Sequence, residues 1–284
     1  MTQPPLPDFL IVGPQKCATT WLYNCLHQHP DVLMPDSDFV HYFDMFYHKD
    51  ETWYRNHFSE YDDESTVGEV TRTYIRDEMA PERIAETLPE IKLIFTLRNP
   101  IDRAFSHWWH EKSKDKHSFE FSEVLENYDL YQNWIVPGFY YRHLMRFSQH
   151  FPDEQMKICF FDDLVEDNKT YIQDVYSFLE IDDGYVPSQI DQKVNQGRFR
   201  GVNFGSIYDS AISIYKKTAP QPAINTVRPL HRRLMEVLAS QTEYEEGMDE
   251  DIREQVEEHF VDDIQNLSNY VGRDLNHWLH HHDI

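Results

Sequence analysis

The sequence predicts an α/β fold, a single domain whose central parallel sheet is flanked by helices. Three observations carry this. Short apolar runs of strand length, 9–13, 67–70, 91–97 and 156–161, alternate with stretches of helical periodicity, the pattern of repeated βαβ units. No Pro/Gly/Ser-rich linker divides the 284 residues, so the default is one domain over 1–284, with its motifs in 7–201 and a helical part at 202–284. The first apolar run also passes through a short loop directly into a helix, as the opening βα unit of such a sheet does.

In chain order, strand 9–13 leads to helix 19–28 and a short strand near 32–34. An aromatic-rich stretch at 39–58 follows, then strand 67–70, helix 81–88 and strand 91–97. Beyond it come helices near 101–113, 121–127 and 140–150, strand 156–161 and helix 168–180. Near the C-terminus, Ile252, Val256, Phe260, Ile264 and Leu267 recur at spacings of three and four, which predicts an amphipathic helix over 249–271 laid on the domain.

The loop Gly13-Pro14-Gln15-Lys16-Cys17-Ala18-Thr19-Thr20 has the build of a P-loop-like phosphate-binding loop. Main-chain amides at a helix N-terminus, the positive end of the helix dipole and one lysine charge converge where a phosphate can sit. Its spacing is not GxxxxGK(S/T), because no second glycine precedes Lys16, so the ligand is expected to differ from a nucleoside triphosphate. Thr19 and Thr20 read either as ordinary first-turn residues or, beside Lys16, as phosphate contacts. A second anchor is Lys92-Leu93-Ile94-Phe95-Thr96-Leu97-Arg98, a buried strand ending in arginine, with Ser106 inside the next helix.

Together these two segments resemble the sulfotransferases that use 3′-phosphoadenosine 5′-phosphosulfate (PAPS), of the bacterial and heparan-sulfate type. The resemblance implies that Lys16, Cys17, Ala18, Thr19 and Thr20 hold the 5′-phosphosulfate and that Arg98 and Ser106 hold the 3′-phosphate. It continues through His29-Pro30 with His41-Tyr42-Phe43, similar to an HP…KExHFF block, and through Gly68-Glu69-Val70-Thr71-Arg72-Thr73-Tyr74, similar to GEKTPxY. Pro137-Gly138-Phe139-Tyr140 and 156–164 follow in family order. The run 193–201 resembles the late loop that closes over the nucleotide, which implies cofactor contacts from Asn195, Gly197, Arg198 and Arg200. PAPS, leaving as 3′-phosphoadenosine 5′-phosphate (PAP), is the implied cofactor, with no metal.

Transfer of a sulfuryl group needs the leaving phosphate's charge stabilised and the acceptor's proton removed. Lys16 is the candidate for the first task. For the second, aligning from His29-Pro30 to His41-Tyr42-Phe43 without a gap puts the Lys-Glu pair on Asp38 and Phe39, so the usual glutamate is absent. Asp38, His41 and Glu69 are the replacements within reach, each with an ordinary reading as surface charge, packed ring and structural ion-pair partner. His107 and His110 read as packing or acceptor-pocket residues.

A formal charge of −24 bounds the partners. Residues 243–263 hold eleven carboxylates against Arg253, and 193–233 hold eight Lys/Arg against Asp209. The acidic block reads as a solvated helix face, and the basic run, which starts in the late loop, offsets cofactor charge. An acidic exterior repels polyanions, so nucleic acid and heparan-like chains are poor expected acceptors. A small neutral or cationic molecule is the expected one, the cationic option because Asp36 and Asp38 adjoin, and Asp44 lies within, the aromatic stretch 39–58. No leader-like or membrane-length apolar run occurs, so a cytoplasmic location and no membrane partner are expected. Cys17, Cys25 and Cys159 read as buried reduced thiols. Two other readings stand beside the enzyme: a P-loop nucleotide kinase, disfavoured by the missing GK(S/T), and a sulfotransferase-fold binding protein that has lost its base.

Overall fold

The structure, a computed structural model, describes residues 3–35, 39–61, 64, 66–114, 116–188, 190, 191 and 248–279. Its strands are β1 (Phe9–Gly13), β2 (Val32–Leu33), β3 (Thr66–Val70), β4 (Lys92–Leu97) and β5 (Met156–Phe160). They form one sheet in the order β2-β3-β1-β4-β5, and every pairing is parallel.

Both faces of the sheet are covered, as a parallel sheet requires. Side chains alternate along β1 and β4: Leu10, Val12, Leu93, Phe95 and Leu97 enter one apolar core, and Phe9, Ile11 and Ile94 enter the other. Helices α1 (Thr19–His27) and α9 (Asn168–Leu179) pack on the second face. On the first lie α3 (Ala80–Thr87), α4 (Pro100–Lys112), α7 (Tyr140–Phe147) and α10 (Glu250–Val271), the predicted amphipathic helix, with Val256, Phe260, Ile264 and Leu267 buried.

The remaining helices depart from the sequence reading. The aromatic stretch contains α2 (Glu51–Arg55), capped by Asp50, which accepts from the Trp53 amide at 2.7 Å. Short α5 (Glu123–Glu126) was expected, but α6 (Tyr128–Trp134) was not, although Asn127 caps it. Helix α8 (Phe161–Glu166) starts directly from β5, one residue before the expected strand end, because the apolar Phe161 continues the strand pattern in sequence but opens the helix in the structure.

This topology fixes where a ligand can sit. The chain leaves β1 toward β2 and β3 on one side, and leaves β4 toward β5 on the other. Adjacent strands whose connections diverge open a crevice at their carboxyl ends, the usual binding place in an open α/β sheet. The loop of Lys16 follows β1, and Arg98 follows β4.

Candidate active site

Gly13 ends β1 at φ +112°, and a Cβ there would come within 2.3 Å of the Arg72 carbonyl, so only glycine fits. The chain then curls. Lys16 (φ 71°) and Ala18 (φ 62°) are both left-handed, an alternation that turns consecutive amides toward one concave side. Ala18 occupies the N-cap of α1 with no side-chain cap, so the amides of the first turn at Thr19 and Thr20 are left to another acceptor. A loop with these features is an anion cradle.

Lys16 stands in a strongly positive environment. Its amine is pushed down to about 7, first by burial and then by Lys114, Arg72 and Arg98, with Glu111 opposing. Lys16, Lys114, Arg72 and Arg98 thus concentrate positive charge beside this loop, in a chain whose net charge is −24. This donor set fits a nucleotide carrying phosphate and phosphosulfate groups.

The second anchor is built differently. Asn99 caps α4 itself, accepting from the Ile101 amide at 3.0 Å, and donates to the Trp278 carbonyl at 2.9 Å. The helix end is therefore satisfied, and what this loop offers is the half-buried Arg98 guanidinium, which lies 4.9 Å over the Phe161 ring, and the buried Ser106. The Arg98 amide faces Cys17 Sγ and the Tyr140 hydroxyl, which are 3.8 Å apart, so the two loops are joined through buried groups. Burial pushes the Cys17 thiol up to about 11, which keeps it protonated and inert.

The connection after β3 forms the third wall. Glu69 is fully buried and accepts from the Tyr54 hydroxyl, from Thr71 Oγ1 at 2.7 Å and from the Tyr74 hydroxyl at 2.8 Å. Burial raises its pKa despite these bonds. Its role is structural: Thr71 Oγ1 in turn accepts from the His41 amide at 3.3 Å, and Tyr74 accepts from the Phe43 amide at 3.3 Å, which pins the 39–44 segment beside the loop. With its oxygens taken by three hydroxyls, Glu69 does not fit the proton acceptor for which the sequence made it a candidate.

His41 is held differently. It takes φ +57°, and its Nδ1 lies 3.1 Å from Asp44 Oδ2, which also accepts from Thr73 Oγ1 at 2.5 Å. Burial works against the Asp44 charge, but the bonds from His41, Thr73 and the Met45 amide hold its pKa below the usual range. An ionised Asp44 offers His41 Nδ1 a hydrogen-bond acceptor and so orients the ring. The sequence reading took Asp44 for a lure for cationic substrate; it is occupied with His41.

Rings of the aromatic stretch are mostly core, with Phe43, Tyr54 and Phe58 fully buried. The faces of Phe39 and Tyr47 are covered by the guanidinium groups of Arg72, at 3.9 Å, and Arg83, at 4.8 Å. Sequence reasoning named Ser106, His107 and His110 but missed Arg103, which completes a polar stripe with them on α4. Arg103, Ser106, His107 and His110 recur at helical spacing and belong to one face, a signal readable from the sequence. Arg103 is fully buried, and its guanidinium donates to the Trp134 carbonyl. His107 stacks on Trp134. His110 lies in the field of Lys16, with its Nε2 2.8 Å from Lys114 Nζ; burial and these charges push its pKa down to about 3. Such an imidazole is a poor base. Asp38, Asn195, Gly197, Arg198 and Arg200 lie outside the described residues.

The sulfotransferase domain family matches residues 6–207. The chain belongs to the PAPS-dependent sulfotransferases. Human bifunctional heparan sulfate N-deacetylase/N-sulfotransferase 3 is 33% identical over 195 residues, 62% of this chain and 22% of that protein. Mouse bifunctional heparan sulfate N-deacetylase/N-sulfotransferase 4 is 31% identical over 199 residues, 63% of this chain and 23% of that protein. The chain thus spans about a quarter or less of the length of these curated relatives. A sulfotransferase from Alicyclobacillus acidocaldarius shares the fold, with a TM-score of 0.72 over 97% of this chain and 100% of that one at 22% identity. Among the described residues no helix is long and apolar enough to cross a membrane.

Proposed function

We propose that this sulfotransferase moves a sulfuryl group from PAPS to a hydroxyl or neutral amine of a small molecule, without a metal. The observation that carries this reading is the pair of cationic anchors after adjacent strands β1 and β4, one on an open amide cradle and one on a capped helix. They suit a nucleotide with phosphates at both ends. Lys16, the amides around Ala18, Thr19 and Thr20 hold the 5′ end, and Arg98 and Ser106 the 3′-phosphate. Bound there, PAPS supplies an activated sulfuryl group. Lys16 offsets the charge that gathers on the 5′-phosphate, with Arg72 and Arg98 nearby in the role a metal fills for phosphoryl transfer.

His41 Nε2 takes the acceptor's proton, with Asp44 holding the ring and stabilising the imidazolium that forms. The −24 charge, which opposes a polyanionic acceptor, supports a small neutral one, and the guanidinium groups already stacked on Phe39 and Tyr47 leave a cationic acceptor little to bind.

The test is transfer of labelled sulfuryl from PAPS to a panel of small hydroxyl and amine acceptors in EDTA, with wild type and His41→Ala. Expected are metal-independent transfer by the wild type and a loss of roughly a hundredfold or more in turnover for the variant, with PAP affinity unchanged. A strict Mg²⁺ requirement or phosphoryl transfer from ATP would sink the reading in favour of a kinase. Tight PAP binding with no turnover on any acceptor would favour a binding protein.

A further inference from the structure

Arg72 is held in place at both ends. Its main chain is locked against the end of β1: the Thr71 amide donates to the Ile11 carbonyl and the Ile75 amide to the Val12 carbonyl, each at 3.1 Å, and the Arg72 carbonyl fills the space a Cβ on Gly13 would need. Its guanidinium lies 3.9 Å from the centre of the Phe39 ring. The two side chains line one small cavity with Val70, Tyr23, Thr19 and Thr20, the last two being the residues that open α1. The charge of Arg72 reaches Lys16 and His110, so it belongs to the same electrostatic unit as the cradle.

We propose that Arg72 grips the sulfonate of the donor through paired N–H donors, and that Phe39 is a positioning residue that sets the plane of the guanidinium. The inference rests on the sulfuryl-transfer reading and adds a residue to it. Stacking uses the face of a guanidinium rather than its N–H edge, so a phenyl platform sets the plane of the fork. A planar fork matches two oxygens of a tetrahedral oxyanion, which a lysine's point charge does not. Both residues stand at positions where the chain departs from the motifs it resembles: Phe39 at the glutamate of KExHFF and Arg72 at the proline of GEKTPxY, beside Asp38 and Val70 at the motif lysines. The stacking explains why the departures occur together. A carboxylate at position 39 would pair with the guanidinium at 72 and draw its donors away from the ligand.

Equilibrium binding of PAPS and of PAP, which lacks only the sulfonate, tests this without turnover, with acceptor left out. Arg72→Gln is expected to weaken PAPS by about tenfold or more and PAP by less than about threefold, the share of one charge-assisted pair. Phe39→Ala should shift the PAPS-to-PAP ratio in the same direction, Phe39→Tyr should keep it, and Phe39→Glu should lose it as Arg72→Gln does. PAP binding reports that each variant is folded. Should Arg72→Gln melt out, Arg72→Lys, which keeps the charge and loses the fork, carries the same comparison. Equal effects on PAPS and PAP, or none on either, would overturn the inference. A wild type that binds neither nucleotide would instead overturn the sulfuryl-transfer reading beneath it.

Discussion

The loops after β1 and β4 are the same supersecondary unit on neighbouring parallel strands, yet they meet a ligand in opposite ways. After β1, positive φ at Lys16 and Ala18 curls the main chain, and no side chain caps α1, so the backbone itself is the binding surface. After β4, Asn99 satisfies the helix end and ties it to the Trp278 carbonyl, so what this loop offers is side chains, Arg98 and Ser106. The difference teaches a division of labour. In the proposed binding mode, an open amide cradle surrounds a group whose charge changes during reaction, while a capped helix presents a fixed cation to a phosphate that stays unchanged. Buried Cys17, Tyr140 and the Arg98 amide hold the two loops at a constant separation.

The harshest way to break the comparison is Gly13→Ala. The new Cβ meets main-chain atoms of Arg72, which cannot swing aside, at a φ that disfavours any side chain. The expected cost is roughly 3 kcal/mol or more, with PAP binding lost, read from melting curves and calorimetry. Unchanged stability would mean the loop is not fixed as described.

Next in size is Lys16→Ala, expected to lower turnover by about a hundredfold to a thousandfold while weakening PAP far less, because the charge it meets grows on the way to the transition state. The same amine gives a pH signature. At about 7 in the free protein, its pKa must rise when a polyanion binds beside it. PAP binding above neutral pH should therefore take up a proton, and affinity should fall as pH rises through the range between the free and bound pKa values, by up to about tenfold per unit. Calorimetry in buffers of different ionisation heat measures the proton directly, and no uptake at pH 8 would contradict the placement of Lys16.

Asn99→Ala should act on the other loop, and more gently. Losing a helix cap and a buried bond to Trp278 is expected to cost about 1–2 kcal/mol of stability with PAP affinity nearly unchanged, since no ligand contact is assigned to that side chain. A large loss of affinity without loss of stability would mean this helix end binds ligand after all.

Much of this contrast was legible in the sequence. Strand, lysine loop and helix at 9–28, and strand, arginine and serine at 91–106, are local patterns, and the sheet places them side by side through topology alone. The alternating cores and α10 were readable for the same reason, apolar spacing. Residues whose roles depend on a distant partner were not. Asp44 looked like an isolated acid because its link to His41 requires the left-handed turn at His41, and Arg72 gained meaning only once Phe39 lay beneath it. Glu69 looked available because the three hydroxyls that occupy it come from α2 and from beyond β3. Helix α2 was hidden because rings crowd that stretch too densely for a period to emerge.

The central claim, that the two loops hold opposite ends of one nucleotide, is tested most directly by the affinity ratio of PAP to AMP, which differ only in the 3′-phosphate, measured by calorimetry in EDTA for wild type, Arg98→Ala and Lys16→Ala. Wild type should prefer PAP by about a hundredfold, Arg98→Ala should bring the ratio near one, and Lys16→Ala should leave the preference in place. A preference that survives Arg98→Ala, or one that vanishes with Lys16→Ala, would contradict it.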